Sequence, residues 1–220
     1  MDKLDVIGEA IRLQFEGINK RRDEALAQAR LLTRDCATAV RAIHRRDWAE
    51  AQAQLKIVRQ TVEEIKTMLA DFPDLYYAGY TQDALREYVE AHLTYALVRD
   101  EPLPTPEELG VIPSTYVNGL AEASTELRRH ILDIIRHDMN DEAERLMDAM
   151  DSIYMVLMTM DYSETITGGL RRRTDTLRSV LERTRGELTL SQQLHHLQQQ
   201  IAEYGITEFL GGAATADYGE

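Results

Sequence analysis

The chain has 220 residues and a formal net charge of -13, a balance that opposes non-specific attraction to nucleic acid or to an anionic membrane. Its single cysteine, Cys36, excludes an internal disulfide, and no stretch approaches the roughly 18 uninterrupted apolar residues of a membrane span. Five prolines, twelve glycines and abundant Ala, Leu, Glu, Gln and Arg point to an all-α fold, in a chain long enough to bury a substantial core.

The opening residues, Met1 to Asp5, lack a basic region followed by an apolar run, so a soluble cytoplasmic protein is expected. From Leu4 to about His44, apolar residues recur at three- and four-residue spacing through Ile7, Ile11, Phe15, Ile18, Leu26, Cys36, Val40 and Ile43, which predicts one long amphipathic helix. Arg30, Arg34, Arg41 and Arg45 fall within a narrow arc opposite that stripe, at about 100° per residue, and Lys20, Arg21 and Arg22 add charge nearby. Such a face is either solvated or a phosphate track, since guanidinium forks match phosphate oxygens.

Asp47 reads as an N-cap for a second helix from Trp48 to about Leu69, which the Phe72-Pro73-Asp74 break ends. Tyr76, Tyr77 and Tyr80 lead into a third helix reaching about Val98. Its core stripe is Leu85, Tyr88, Val89, His92, Leu93 and Ala96, with Glu87 and Glu90 turned away from it. His92, on the apolar side, fits a hydrogen-bonded core histidine. Asp100 to Pro113 is a Pro-rich loop with one short turn at Pro106 to Leu109. Ser114 is placed to cap the next helix, which is expected to fold back beside the third and run to about His137, with Glu122, Glu126, Arg129 and Asp133 opposite its core stripe.

A helix from Asn140 to about Met160 carries a methionine-rich stripe suited to core or subunit packing. Gly168-Gly169 precedes Arg171, Arg172 and Arg173, which are a phosphate site, an interface or a solvated turn, and a helix through Leu188. The predicted layout is a helical domain over 1–190, a Gln-rich helical extension over 191–210 bearing Leu194, Leu197 and Ile201, and a disordered tail over 211–220.

Two carboxylate pairs stand out. Glu87 and Glu90 lie about one turn apart on one helix, and Glu122 and Glu126 about one turn apart on another. Brought together, they form an oxygen-rich set suited to a hard divalent cation; left apart, they are ordinary solvated glutamates, with Arg129 among the partners at helical spacing. Helical spacing alone does not choose between these outcomes.

Several strings resemble the translin superfamily, which comprises translin and its partner Trax. They are Lys20-Arg21-Arg22-Asp23 on the long first helix, Phe72-Pro73 before Tyr76-Tyr77, Glu87-Tyr88-Val89-Glu90-Ala91, and Tyr116 through Glu122, in that order over roughly Leu4 to Leu190. The resemblance implies a seven-helix all-α subunit assembled into a hollow homo-octameric shell that binds RNA and single-stranded DNA. It further implies, by likeness to Trax subunits, a Mg²⁺- or Mn²⁺-dependent endoribonuclease site facing the interior. Matched position by position, Glu87, Glu90, Glu122 and Glu126 are its catalytic and metal-binding residues. Within such a shell the arginine stripe of Arg30, Arg34, Arg41 and Arg45, with Lys20, Arg21 and Arg22 nearby, is expected to hold RNA along the inner wall. Trax has Asp where this chain has Glu122, so the reach to a metal is one methylene longer here, whereas the replacement of translin's basic, His-containing stretch by Ala78 to Asp83 makes the chain look more Trax-like than translin-like. The competing readings are a non-catalytic binding shell of translin type and a helical scaffold with solvated glutamates.

Overall fold

The computed structural model describes residues 2–137 and 140–203. Those residues form α1 (Asp2–His44), α2 (Trp48–Met68), α3 (Pro73–Tyr76), α4 (Gly79–Arg99), α5 (Pro106–Leu109), α6 (Pro113–Ile135), α7 (Asn140–Met158), α8 (Glu164–Thr167) and α9 (Leu170–Glu203). Six of these helices are long and three are single turns of four residues, and no strand occurs among the described residues. The all-α expectation holds. No described helix is long and apolar enough to cross a membrane.

The helix boundaries follow from local chemistry. Asp47 caps α2 as expected, its side chain accepting from the Glu50 N–H at 3.2 Å. Pro73 opens α3 at the break that ends α2. Thr105 and Glu108 make a reciprocal capping box that nucleates the short turn inside the Pro-rich loop. Ser114, in contrast, does not cap α6: the helix begins one residue earlier at Pro113, whose missing N–H would have no intrahelical partner in any case. The helix expected to end near Leu188 and the Gln-rich extension are one continuous element, α9. The rest of the extension, residues 204–210, and the expected tail over 211–220 lie outside the described residues.

The bundle is built around α4 and α6. Helices α1 and α2 pack on the α4 side, and α7 and α9 on the α6 side. Leu32, Cys36 and Ile43 of α1 are buried with Leu85, Tyr88 and Leu93 of α4, and Leu127 and Ile131 of α6 with Leu146 and Met150 of α7. The direction of α6 differs from the fold-back expected of a short connection. Thr115 meets Gln82 near the start of α4, and Glu122 meets Arg86 further along, so the two helices run parallel. The physical reason lies in the loop over 100–112, which returns along the bundle before α6 begins. It is pinned there by the Tyr116 hydroxyl donating to Pro104 O at 2.9 Å and by Arg59 donating to Glu108 O at 3.3 Å.

At their crossing the two central helices come unusually close. A Cβ on Gly119 would lie 2.6 Å from Val89 Cγ1 and 3.0 Å from the Arg86 carbonyl oxygen, so only glycine fits at this point of α6.

One further departure concerns α1. Its apolar stripe packs on the bundle only from Ala25 onward, and residues 3–20 are exposed, Leu4, Ile7, Ile11, Phe15 and Ile18 among them. On α9, Leu190, Leu194, Leu197 and Ile201 are exposed in the same way.

Candidate functional site

Parallel packing sets the two carboxylate pairs at the same height. Glu87 and Glu90 of α4 and Glu122 of α6 each offer a carboxylate oxygen, and these oxygens lie within 4.8 Å of one another. They line a cleft of about 590 Å³ together with Glu126, Thr125 and, from α9, Arg172, Arg173 and Thr176. The four glutamates therefore share one cavity, but only three converge. Glu126 is drawn aside by His44 at the end of α1, whose Nε2 donates to Glu126 Oε2 at 2.8 Å. The His44 side chain is buried, only 3% exposed.

Glu122 is the most heavily bonded member. Its Oε1 accepts from Arg173 Nε at 2.9 Å and its Oε2 accepts from the Arg86 guanidinium, which also lies 3.5 Å from Glu87 Oε1 and 3.6 Å from Asp83 Oδ1. Arg173 is held in turn by donating to Asn118 Oδ1 at 3.1 Å. The partners of Glu122 and Glu126 thus come from α1, α4 and α9 rather than from Arg129 on their own helix, which is exposed.

Glu90 lacks such compensation. Burial, reinforced by the neighbouring charges of Glu87 and Glu126 and only partly offset by Arg86, pushes its carboxyl up to about 8. It is not the solvated surface group that its place opposite a core stripe suggests. Behind the cluster, burial and then Glu87 and Glu90 also raise the thiol of Cys36, so this cysteine is an inert core residue. His92 behaves as the expected core histidine, with Nδ1 at 3.1 Å from Tyr88 O and burial lowering its pKa to about 4.

The Glu90 shift has a measurable consequence for stability in a chelating buffer. The folded protein keeps this proton up to about pH 8, whereas an unfolded glutamate releases it near 4.5, so the folded state binds the extra proton between those values. Stability therefore falls as pH rises through that window, by on the order of a few kcal/mol, and levels above it. Glu90→Gln should flatten this fall in denaturant melts recorded across the same pH range.

The chemistry of the donor set suits a divalent cation. Clustered carboxylate oxygens are hard ligands, and a divalent ion would offset both the burial and the mutual repulsion that raise the Glu90 carboxyl.

The basic residues divide into groups. Arg30 and Arg34 line a groove of about 540 Å³ with Tyr80 and Asp83, and this groove shares Arg86 and Glu87 with the acidic cleft. Arg41 and Arg45 are exposed farther along α1, Arg41 donating to Thr38 Oγ1 at 2.9 Å. Lys20, Arg21 and Arg22 line neither cavity: Arg21 pairs with Glu24 at 2.7 Å and stands over the Phe72 ring, and Arg22 lies 3.6 Å from Asp23. Of the Arg171–Arg173 run, Arg172 and Arg173 wall the cleft, while Arg171 lines a separate cavity.

Arg86 and His44 are site residues that helical periodicity does not single out. Arg86 carries a weak signal, its place between Asp83 and Glu87. His44 carries none, because its partner is 82 residues away.

An all-α bundle whose central helices share an acidic, arginine-walled, metal-competent cleft is the class that fold and site define together. No family model matches the chain. It is 34% identical over 187 residues to an uncharacterised protein of Methanocaldococcus jannaschii, covering 84% of this chain and 82% of that protein. Among solved structures, AfC3PO in complex with duplex RNA matches with a TM-score of 0.78 at 29% identity, over 84% of this chain and 95% of that one. AfC3PO alone gives 0.77 at 29% identity, over 84% and 96%. Apo-NeC3PO, at 17% identity and a TM-score of 0.76 over 83% and 96%, shares the fold. The chain belongs to the translin superfamily.

Proposed function

We propose that this protein is a Trax-like, metal-dependent endoribonuclease that works as the subunit of a hollow homo-octameric shell. The observation that carries the reading is the convergence of Glu87, Glu90 and Glu122 from two parallel helices in a cleft that opens beside an arginine-lined groove. These three residues would hold Mg²⁺ or Mn²⁺, with Glu126, fixed by His44, next to them as the fourth catalytic acid. A bound ion of this kind supplies Lewis-acid polarisation of a phosphate and a water acidified for attack.

The remaining work belongs to the side chains. Arg30 and Arg34 on one side and Arg172 on the other bind phosphates of RNA or single-stranded DNA and position the backbone across the acids. Exposed Arg41 and Arg45 extend the track along α1, and Lys20, Arg21 and Arg22 serve as outlying contacts. That AfC3PO has been solved with duplex RNA supports RNA as the ligand class. The unpartnered apolar residues of α1 and α9 support burial between subunits, with residues 1–190 as the family domain and the end of α9 as an added contact. A cytoplasmic location accords with a single, buried, free cysteine.

One observation favours a second reading, a non-catalytic translin-type binding shell: both oxygens of Glu122 are already engaged by arginines. Incubation of the purified protein with end-labelled single-stranded RNA, in Mg²⁺ or in chelator, separates the two. Internal cleavage only with Mg²⁺ is expected, whereas salt-sensitive binding without cleavage under either condition would select the second reading. Replacing Arg30 and Arg34 together by serine should weaken RNA binding and lower the slope of log affinity against log salt by about 0.7 per lost contact. An unchanged slope in a fluorescence-anisotropy titration would remove the groove from the binding track.

A further inference from the structure

We infer that Arg86 couples cation binding at the carboxylates to polyanion binding in the adjoining groove; this rests on the metal-site reading given under the proposed function. The starting point is where its guanidinium lies. Arg86 sits on α4 directly before Glu87 and reaches across to Glu122 on α6, so its guanidinium bridges two of the three carboxylates of the set. Its side chain is only 14% exposed, and its Nε has no hydrogen-bond partner among the described residues. The group is therefore held by its charge contacts with Glu122, Glu87 and Asp83, not by a complete hydrogen-bond shell.

A guanidinium on Glu122 Oε2 and a divalent cation among the same three carboxylates place like charges a few ångströms apart. Each weakens the binding of the other, so ligation by Glu122 favours release of Arg86. The released side chain has somewhere to go. Arg86 lines three cavities: the acidic cleft, the groove containing Arg30 and Arg34, and a smaller one with Tyr77, Gln82 and Asp83. Asp83, one turn back on α4, is 67% exposed and gives the guanidinium a flexible anchor at the mouth of the groove. There the fork meets phosphate beside Arg30 and Arg34.

A polyanion in the groove and a cation at the acids then favour the same arrangement of Arg86. By linkage each tightens the binding of the other. Arg173 does not share this role, because Asn118 and the Gly168 carbonyl hold it on the α9 side.

The test is calorimetric titration of the full chain with Mn²⁺, alone and with a saturating short single-stranded RNA oligonucleotide, 2′-O-methylated so that it is not cleaved during the titration, for wild type, Arg86→Ala and Arg86→Lys. Arg86→Ala is expected to bind Mn²⁺ about five-fold or more tightly than wild type, and to lose the RNA-induced tightening that wild type shows. Arg86→Lys keeps the charge and should fall nearer wild type, which also covers the case in which the alanine variant fails to fold. Equal or weaker Mn²⁺ binding by Arg86→Ala, or the same RNA-induced tightening in both proteins, would overturn the inference and leave the metal site standing. Failure of every variant to bind Mn²⁺ would overturn both.

Discussion

Replacing Glu87 and Glu90 together by alanine is expected to lower Mg²⁺-dependent RNA cleavage by at least about a hundredfold while the protein stays folded. Outer-shell partners of a metal site typically account for about 10- to 100-fold in affinity or activity, and direct ligands for no less. Stability should move the other way. Glu90 is half-buried beside Glu87 and Glu126 with only Arg86 as partial compensation, so removing two of these carboxylates relieves repulsion between like charges. The variant should therefore melt at or above the wild-type temperature at pH 8, in chelator, while losing activity. That combination distinguishes a site built for chemistry from a cluster that holds the fold together. The two measurements are initial cleavage rates and thermal melts on the same preparations, and undiminished cleavage by the double variant would refute the catalytic assignment.

A second large effect is expected far from any titratable group. Gly119→Ala should destabilise the protein by about 1–3 kcal/mol through overpacking. In an open helix the same change would favour folding by up to about 1 kcal/mol. Gly186 of α9, where an added Cβ would meet nothing within 4 Å, supplies that control. At Gly119 the clash wins because the new Cβ meets Val89 and the rigid Arg86 carbonyl at once, and neither can rotate away as the tip of a long side chain could. Relief requires α4 and α6 to separate. That separation moves Glu87 and Glu90 away from Glu122, so cleavage and Mn²⁺ affinity should fall together with stability. Denaturant melts of Gly119→Ala and Gly186→Ala check the opposite signs. A Gly119→Ala protein as stable as wild type would show that the crossing has more slack than the structure gives it.

Both expectations depend on pairings that no local pattern contains. The helices themselves were legible: their apolar periodicity, the Asp47 cap, the Pro73 break and the turn at Pro106 are properties of short stretches, and the structure reproduces them. So was the placement of each glutamate pair on one face of its own helix, because residues three or four apart must share a face. The parallel course of α4 and α6 was not legible. A Pro-rich loop over 100–112 permits either direction, and the return along the bundle is decided by distant contacts such as Tyr116 to Pro104 and Arg59 to Glu108.

The sequence by itself determined an acidic all-α chain carrying two carboxylate pairs and an arginine stripe. Only the tertiary structure decided that Glu87, Glu90 and Glu122 meet, that Glu126 turns to His44, that Arg86 and Arg173 hold Glu122, and that Glu90 is desolvated. The physical reason is one of range. Helix formation and facing are set by neighbours within a turn or two, whereas burial, charge coupling and convergence depend on how closely whole helices approach, here on the absence of a single Cβ at Gly119.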